Sequence, residues 1–429
     1  MRPKVAIIGG GVAGLSAAYH LRKDADLTLF EKNGFPGGHA RTIEFEENGK
    51  LLGIDTAFVV FNAKTYPQIC GFFDELGVHV KEHNGGFTFF DIDEGIEYGT
   101  GELGLDQATL RSRFPAHFCD LVQEIQRFFQ SAPRDFVRKQ AEMPLKDYLR
   151  KNNYSEAFKQ GYLVLLATAV WSIPPELIWE MPASTLIAFF MAHDQGGLGG
   201  QQVAWKTVGG GSVNYVRKVL ATVNPTLRLG QKVTWVQEEG NGVVVKTADG
   251  ASDRFDYAVI GAHADEAIEM LARPTASQEL LRQIRYNDGR VVLHSDPSVM
   301  PKDRNRWLSW NYGKVRVNGA TRSYVAYYMN RIHGLEAKKD YFVTLEYPRE
   351  IDRSTVIFET VYRHPIITQA VRDMQKDLYA INNTGRIKFC GSYLHSKKIG
   401  PDLIGSHEAA FNSGMEAAKT VLKQVQEVR

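Results

Sequence analysis

The residues best placed to do chemistry begin with three glycines spaced like a phosphate-binding turn. Gly9, Gly11 and Gly14 follow a short apolar run, Val5 to Ile8. The first glycine allows a tight turn, the second lets the backbone approach a diphosphate, and the third lets helix and strand pack closely. Glu31 follows about twenty residues after the turn, where an acid can hold a ribose hydroxyl. The spacing therefore predicts a dinucleotide site, with the diphosphate at a helix N-terminus.

The elements that must position this turn alternate between strand and helix. A helix is predicted over Leu15–Lys23 and a second strand over Leu27–Phe30, so strand, glycine turn, helix, strand and acid follow in order. Similar α/β segments return after Trp205 and near the C-terminus. There a strand, Ile387 to Cys390, precedes a closing helix over Glu408–Glu427. The nucleotide domain is therefore predicted to come from three separated pieces, 1–85, 205–285 and 385–429.

Two insertions separate these pieces and predict a second domain, over 86–204 and 286–384. The first is helical, because apolar residues recur at helical spacing between Phe118 and Phe129. It ends in a glycine loop, Gly196 to Gly200, which we interpret as a linker rather than a lid. The second, from Val291 to Phe358, is rich in β-branched and aromatic residues and predicts an antiparallel sheet.

Shorter patterns predict local structure. Asn48-Gly49 between two alternating runs predicts a hairpin, and Thr88 to Tyr98 predicts another. The run from Phe255 to Ile260 is predicted as one strand. Gln68 to Leu76 predicts a short amphipathic helix.

Bulk composition is that of an ordinary globular protein. The 429 residues are 44% hydrophobic and 23% charged, and the net charge of +2 gives no global field for nucleic acid. The three cysteines, Cys70, Cys119 and Cys390, are scattered, which favours a reducing compartment without a disulfide framework. His407-Glu408 begins like a zinc-protease motif, but position 411 is Phe. No metal site is expected.

Localisation follows from the apolar runs. The predicted nucleotide strand begins at the fourth residue, which leaves no room for a signal peptide. The longest apolar run, Tyr162 to Trp171, is too short to span a bilayer. We expect a cytoplasmic protein. The helix from Phe118 to Gln130, near the basic residues Arg134 and Arg138, could touch a membrane surface or simply turn its apolar face to the core.

The motifs together resemble the flavin amine oxidase and phytoene desaturase superfamily over nearly the whole chain. The resemblance rests on the glycine turn and Glu31 together with Pro36-Gly37-Gly38, Thr42, Gly391 and Ser413-Gly414. A narrower set is similar to bacterial flavoproteins tied to modification of fatty acids, and more distantly to polyunsaturated fatty acid isomerase. This set comprises Gly38-His39, Asp55 to Asn62 with Tyr66-Pro67, Trp171-Ser172-x-Pro174-Pro175, Trp205-x-Thr207-Val208-x-Gly210-Gly211-Ser212, Ser309 to Tyr312, Met329-Asn330 and His407-Glu408.

The resemblance implies an α/β protein in which a Rossmann-like FAD-binding domain is interleaved with an α+β substrate domain. It also implies FAD as the cofactor. The implied cofactor-binding residues are Gly9, Gly11, Val12, Ala13 and Gly14 at the diphosphate, Glu31 and Lys32 at the ribose, Gly37, Gly38, His39 and Thr42 along the ribityl chain and ring, Thr56, Ala57 and Phe58 near the isoalloxazine, Val233 at the adenine, and Gly391, Ser392, Ser406, His407 and Glu408 on the far side. The sequence departs from the family where Ser392 replaces an acid and Ser406 an aromatic residue.

Physical arguments also favour FAD over NAD. A nicotinamide enzyme needs only one glycine turn, whereas this chain has a second at Gly37-Gly38 and a helix starting near His407. A helix N-terminus directed at the flavin pyrimidine would stabilise negative charge on the reduced ring. For His407 and Glu408 the alternative is helix capping, and for His39 it is a packed loop position.

The expected reaction is hydride transfer between a hydrophobic, unsaturated or modified acyl chain and the flavin. Candidate catalytic residues are Glu408, His407, Tyr312 and Tyr327, the two tyrosines being equally compatible with core packing. No second complete glycine motif follows a strand, so oxygen, an external carrier or the product would receive the electrons. The alternatives are a redox-neutral fatty acid isomerase, an amine oxidase using Lys206 and Tyr393, and a flavin-binding accessory protein.

Overall fold

The computed structural model describes residues 2–83, 85–171, 175–192, 203–394 and 404–428. The predicted loop Gly196 to Gly200, and Ser172 and Pro174 of the family motif, lie outside the described residues. The strands are β1 (Lys4–Ile8), β2 (Asp26–Glu31), β3 (Thr42–Glu47), β4 (Lys50–Asp55), β5 (Val80–His83), β6 (Phe87–Asp91), β7 (Ile96–Gly99), β8 (Trp205–Val208), β9 (Thr226–Leu229), β10 (Val233–Glu239), β11 (Gly242–Thr247), β12 (Ser252–Phe255), β13 (Tyr257–Ile260), β14 (Tyr286–His294), β15 (Trp310–Val317), β16 (Ala320–Tyr328), β17 (Phe342–Leu345), β18 (Val356–Pro365) and β19 (Ile387–Phe389).

Helices connect and cover these strands. They are α1 (Val12–Leu21), α2 (Pro67–Glu75), α3 (Thr100–Leu103), α4 (Gln107–Arg113), α5 (Ala116–Val137), α6 (Leu145–Lys151), α7 (Glu156–Phe158), α8 (Val164–Trp171), α9 (Pro175–Ile178), α10 (Ala183–Ala192), α11 (Val213–Val223), α12 (Ala264–Glu269), α13 (Met329–His333), α14 (Gln369–Asp373), α15 (Gln375–Ala380) and α16 (His407–Val428). A π-helical turn, Lys159–Leu163, joins α7 to α8.

A parallel five-stranded sheet carries the glycine turn. Its order is β19-β13-β1-β2-β9, and each neighbouring pair is parallel. Along β1, Val5 and Ile7 face a core shared with α1, α11 and α16, while Ala6 and Ile8 face a second core. Burial on both faces explains why β1 is an uninterrupted apolar run. The α/β fold predicted from the sequence is confirmed.

A three-stranded antiparallel sheet, β10-β11-β12, covers part of the second face. Its last strand corrects one prediction. The run from Phe255 to Ile260 is not one strand, because the chain changes sheets at Asp256. The Asp256 N–H donates to the Lys4 carbonyl at 2.8 Å, and its carboxylate accepts from the Lys4 N–H at 2.7 Å. Phe255 therefore pairs with β11 and Tyr257 with β1.

The second large sheet has seven strands in the order β18-β14-β17-β16-β15-β6-β7. Its pairs are antiparallel except for β15 and β6, which are parallel. The predicted hairpins β3–β4 and β6–β7 are both confirmed by their registers. The sequence did not indicate that the hairpin β6–β7 extends the seven-stranded sheet, because β6 pairs with β15, which is more than 200 residues away in the chain.

The helical insertion packs on one face of this sheet. Helix α5 buries its apolar residues in that core, namely Phe118, Val122, Ile125, Phe128, Phe129 and Ala132. The face that could have met a membrane is thus part of the interior. No helix in the described ranges is long and apolar enough to cross a bilayer. Helices α14 and α15 contribute Val371 and Leu378 to the core around β19 and β13. Both helices lie before residue 385, where the third piece of the nucleotide domain is predicted to begin.

Candidate functional site

The glycine turn after β1 has the geometry of a turn that feeds a helix. Gly9 has φ +105°, and a Cβ there would lie 2.7 Å from the Gly261 carbonyl oxygen. A Cβ on Gly14 would lie 2.0 Å from the Gly9 oxygen, so this glycine permits the close approach of α1 to β1. Gly11 is the N-cap of α1, and nothing lies within 4 Å of a Cβ built on it. The helix N-terminus therefore opens onto free space.

Glu31 ties the end of β2 to this turn. Its Oε2 accepts from the Gly10 N–H at 2.9 Å, and its Oε1 accepts from the Asn33 backbone N–H at 2.9 Å. The residue is 6% exposed and borders the same open space as Gly11. Oε1 also accepts from Asn33 Nδ2 at 2.9 Å, so the remaining acceptor capacity lies on Oε2. Glu31 can thus shape the turn and still accept from a ligand hydroxyl.

A second glycine loop lies against the first. The Gly37 N–H donates to the Gly10 carbonyl at 2.8 Å, and Gly37 has φ +123°. A Cβ on Gly38 would lie 3.2 Å from the Gly11 Cα, so the loop passes directly beside the helix N-terminus. The two glycine loops are thus direct neighbours in the structure.

The N-terminus of α16 brings His407 to the same region. Its imidazole stacks on Phe58, with ring centroids 3.8 Å apart and planes 8° apart. Its Nε2 shares a 2.8 Å hydrogen bond with the Tyr215 hydroxyl. Burial lowers the pKa of His407 to about 3, so the ring is neutral near pH 7. Ser406 caps the helix by accepting from the Ala409 N–H at 3.1 Å.

Glu408, the next residue, is directed elsewhere. Its Oε1 accepts from the Gln68 N–H at 2.9 Å, and its Oε2 accepts from the Ile69 N–H at 3.0 Å. These are free N–H groups in the first turn of α2. The carboxylate therefore links α16 to α2 and does not line the open space. Burial raises its pKa.

Thr42 belongs to a buried network around Asp55. The Asp55 carboxylate accepts from Thr42 Oγ1 at 2.6 Å, from Ser212 Oγ at 2.7 Å and from the Ser212 N–H at 2.8 Å. His333 Nε2 lies 3.5 Å away. The network joins β3 and β4 to the start of α11. Sequence analysis assigned Thr42 to the cofactor, whereas the structure places its hydroxyl in this network.

One cavity of about 970 Å³ unites most of the predicted cofactor residues. Those lining it are Gly9, Gly11, Val12, Ala13, Glu31, Lys32, Gly38, His39, Ala57, Phe58, Val233, Gly391, Ser392, Ser406 and His407. Those not lining it are Gly14, Gly37, Thr42, Thr56, Glu408, Tyr312 and Tyr327. The first two of these shape the turns, and Thr56 Oγ1 shares a 2.6 Å hydrogen bond with the Tyr362 hydroxyl.

The two candidate catalytic tyrosines pack in the core between the helical insertion and the seven-stranded sheet. Tyr312 is 3% exposed and stacks on Phe89, with ring centroids 5.1 Å apart. Tyr327 packs edge-on against Trp310. The two residues considered for an amine oxidase, Lys206 and Tyr393, lie in different places. Tyr393 lines the cavity, whereas Lys206 does not, and its Nζ lies 3.9 Å from Glu82 Oε1.

Several lining residues were not found from the sequence. They include Phe189, His263, Tyr286, Tyr362, Arg363 and His364. Phe189 and Thr185 come from helix α10 of the insertion, and His364 comes from β18. No local motif marks them, because they meet only when the parallel sheet and the seven-stranded sheet come together.

The residues present fit FAD. The open helix N-terminus at Gly11 suits a diphosphate, and the neighbouring Glu31 suits a ribose. The cavity wall also holds buried nitrogens that have no hydrogen-bond partner in the protein, among them His39 Nε2 and His364 Nδ1. Such atoms indicate a polar ligand. In the described part of the chain, no group of three His, Cys, Asp or Glu side chains is arranged for a metal.

Comparison with known proteins agrees with this geometry. A family model described as flavin containing amine oxidoreductase matches residues 12–294. A Caenorhabditis elegans lysine-specific histone demethylase 1B homolog is 29% identical over 171 residues, which are 39% of this chain and 19% of that protein. The matched segment thus spans about a fifth of that relative's length.

Two solved structures share the whole fold. The fatty acid isomerase from P. acnes that produces CLA superposes with a TM-score of 0.65 at 14% identity, covering 98% of both chains. Cyclohexylamine oxidase from Brevibacterium oxydans superposes with a TM-score of 0.69 at 13% identity, covering 99% of this chain and all of the other. At these identities the likeness concerns the fold.

Proposed function

The chain belongs to the flavin-containing amine oxidoreductase family, and from that premise we propose that it is an FAD-dependent oxidoreductase whose substrate is a hydrophobic, unsaturated or modified fatty-acyl chain. When bound, FAD supplies hydride transfer to or from a substrate carbon. We further propose that 1–85, 205–285 and 385–429 bind FAD, and that 86–204 and 286–384 bind substrate. The packing of α14 and α15 favours a boundary nearer residue 366 than 385.

The observation that carries the substrate proposal is the aromatic end of the cavity. Phe58, stacked on His407, lines the cavity together with Tyr66, and Phe189 lines it from α10. We call these four residues the aromatic end. Ligand sites for apolar molecules are lined mainly by such side chains. The contribution of α10 makes the helical insertion part of the wall, as the proposed substrate domain requires.

Charge at the aromatic end supports an uncharged chain rather than an ammonium ion. Among the described lining residues, the carboxylates are Glu31 on β2 and Asp265, Glu266 and Glu269 on α12. None lies on α10, on α16 or between Ala57 and Tyr66. An amine would have to rely on cation–π contacts with the aromatic rings. Amine oxidation is therefore the second candidate.

The chain's own residues would position the substrate and exclude water. Tyr215 fixes the His407 ring through its hydrogen bond, and the ring holds Phe58 by stacking. Because burial keeps the His407 pKa at about 3, this imidazole carries no charge near pH 7 and can face an acyl chain at low cost. Burial also raises the pKa of Tyr66, so its hydroxyl remains protonated.

Anaerobic mixing of the FAD-loaded protein with candidate substrates tests the proposal. An unsaturated fatty acid should bleach the flavin absorbance near about 450 nm, with a changed acyl product by mass spectrometry. Product without net bleaching would identify a redox-neutral isomerase. Bleaching by cyclohexylamine or putrescine alone would identify an amine oxidase. Neither bleaching nor product with any of these compounds would leave an accessory flavoprotein.

Membrane association, if it supplies the acyl chain, needs a surface other than the buried face of α5. The exposed end of that helix is basic and partly apolar, with Arg134, Val137, Arg138 and Lys139 at the surface. Cosedimentation with anionic and neutral vesicles tests this contact. Replacing the three basic residues by Gln should release the protein from anionic vesicles if this patch is used.

A further inference from the structure

Three histidines from distant parts of the chain meet in the cavity wall. His39 follows the second glycine loop, His263 follows β13, and His364 lies on β18. The ring centroids of His39 and His364 are 5.1 Å apart, and those of His39 and His263 are 6.1 Å apart. We call these three residues the histidine cluster.

Each ring of the histidine cluster has a buried nitrogen without a hydrogen-bond partner in the protein. These atoms are His39 Nε2, His263 Nδ1 and His364 Nδ1. A buried polar atom left unpaired costs about 1–3 kcal/mol. Three such atoms in the wall of one cavity therefore indicate a ligand whose oxygen atoms complete them.

The cluster borders the open N-terminus of α1. His39 directly follows Gly38, which lies against Gly11 at the helix N-cap. The ten-residue helix has no acidic residue in its first turn, so its dipole and free N–H groups are available to an anion. The ligand expected beside the cluster is therefore a phosphate group.

The cations around the cluster are already committed to carboxylates. The Arg363 guanidinium lies 2.7 Å from Asp265 and 3.2 Å from Asp288. Lys32 lies 2.5 Å from Glu266. Two cations are thus paired with three carboxylates, so these pairs leave no positive charge to neutralise an anion with two negative charges.

Tyr362 packs on His39 with ring centroids 5.1 Å apart, and Tyr286 stacks on His263 at 4.5 Å. Burial raises the pKa of both hydroxyls, so they stay protonated.

Two further groups, Arg41 and His407, also face the cluster. Arg41 has no carboxylate partner among the described residues, and its guanidinium lies over the Phe35 ring at 3.6 Å. His407 contributes a third neighbouring imidazole to His39. Arg41 can offset one negative charge, which leaves the second to be met by a proton on the cluster.

We propose that the histidine cluster is an anion site for the diphosphate of FAD, and that FAD binding is coupled to proton uptake by the cluster. The inference rests on FAD being the cofactor and is independent of the fatty-acyl substrate. Without ligand the rings are neutral, because burial and mutual proximity hold the pKa of His39 well below its usual value and that of His364 at about 4. Burial also lowers the pKa of His263. An adjacent diphosphate raises all three.

Titration calorimetry of the full-length apoprotein with FAD tests the coupling. Measurements at pH 6, 7 and 8 use pairs of phosphate-free buffers that differ in ionisation enthalpy. The dependence of the observed enthalpy on the buffer gives the number of protons exchanged. We expect uptake approaching about one proton per FAD at pH 6 and falling towards zero at pH 8, with affinity weakening by up to about tenfold per pH unit. No proton exchange at any pH would overturn the proposal.

Variants and ligand fragments locate the effect. His263→Gln and His364→Gln should each reduce the uptake and weaken FAD binding at pH 6 by about tenfold or less, with smaller effects at pH 8. His117→Gln, at an exposed position on α5, should match the wild type. ADP and pyrophosphate should reproduce the uptake, whereas riboflavin should not. Uptake with riboflavin, or unchanged uptake in both cluster variants of normal melting temperature, would contradict the assignment.

Discussion

The imidazole of His407 lies face to face with the ring of Phe58, at a centroid separation of 3.8 Å and an interplanar angle of 8°. The two residues come from opposite ends of the chain, Phe58 from the segment after β4 and His407 from the first turn of α16. Their contact joins the N-terminal and C-terminal parts of the chain in the wall of the cavity. We propose that the stack lies where the cofactor and substrate regions meet.

The buried His407 predicts a loss of stability in acid. Its folded pKa of about 3 lies below the unfolded value of about 6.5, so the unfolded state binds more protons between these pH values. The free energy of unfolding therefore does not depend on His407 protonation above about pH 6.5. Below that pH, protonation of His407 in the unfolded state lowers the free energy of unfolding by up to about 1.4 kcal/mol per pH unit. Urea unfolding of the wild type at pH 7.5, 6.5, 5.5 and 4.5 measures this slope.

A His407→Phe variant keeps an aromatic ring against Phe58 but cannot be protonated. It should lose about 1–3 kcal/mol at pH 7.5, because the Tyr215 hydroxyl is left without its partner. Between about pH 6.5 and 4.5, the free energy of unfolding of the variant should fall less steeply than that of the wild type. Equal slopes in the two proteins would mean that His407 is not the group responsible.

Gly11 and Gly14 predict opposite outcomes for similar substitutions. Gly11→Val should fold with normal stability, since its Cβ meets open space, but should retain no FAD because the side chain fills the diphosphate position. Gly14→Ala should destabilise the fold itself, because the Cβ would lie 2.0 Å from the Gly9 oxygen. Thermal melting and the ratio of flavin to protein separate the two effects. A Gly11→Val protein that is fully loaded with FAD would refute the nucleotide assignment.

The Glu408→Gln substitution should lower the free energy of unfolding. A glutamine has one acceptor oxygen for the two N–H groups of Gln68 and Ile69, so we expect a loss of about 1–2 kcal/mol. Flavin content and the rate of flavin reduction should change little. Glu416→Gln on the same helix, at a position more open to solvent, is the matched control. If the rate of flavin reduction falls while the unfolding midpoint stays constant, the carboxylate acts on the cofactor rather than on α2.

Asp55→Asn should cost about 2–3 kcal/mol, because an amide replaces a carboxylate that accepts from Thr42 and Ser212. Ser212→Ala removes only one of these hydrogen bonds and should cost about 1 kcal/mol. Unfolding midpoints in urea compare the two. A smaller loss in Asp55→Asn than in Ser212→Ala would show that the network carries no charge.

The parts of the site that depend on local spacing could be predicted from the sequence. The glycine turn, the acid at Glu31 and the hairpin at Asn48-Gly49 are each specified by neighbouring residues. The start of α1 at Val12 rather than Leu15 is a boundary shift, since Gly11 serves as the N-cap. The glycine at 414 also has a structural reason, because a Cβ there would lie 2.1 Å from the Ala13 oxygen.

The parts of the fold and the site that depend on pairings between distant segments could not be predicted from the sequence. The apolar run through Phe255 and Tyr257 divides between two sheets, because Asp256 bonds to Lys4 at the other end of the nucleotide domain. Glu408 contacts α2, which is remote in sequence. The sequence shows only an acid in the first turn of a helix, which is also compatible with a role at the cofactor. The histidine cluster comes from three segments without a shared motif, and its members meet only in the folded cavity.

The central claim is that the cavity's aromatic end takes an uncharged acyl chain next to the flavin. The most direct measurement is the anaerobic rate of flavin bleaching, with product analysis, for an unsaturated fatty acid, its methyl ester and the primary amine of the same chain. Chain length and double bonds are thereby constant, and only the head group changes. The account predicts bleaching or an altered double bond with the acid or ester and no reaction of the amine head group. Bleaching with the amine, and neither bleaching nor product with the acid and ester, would contradict it.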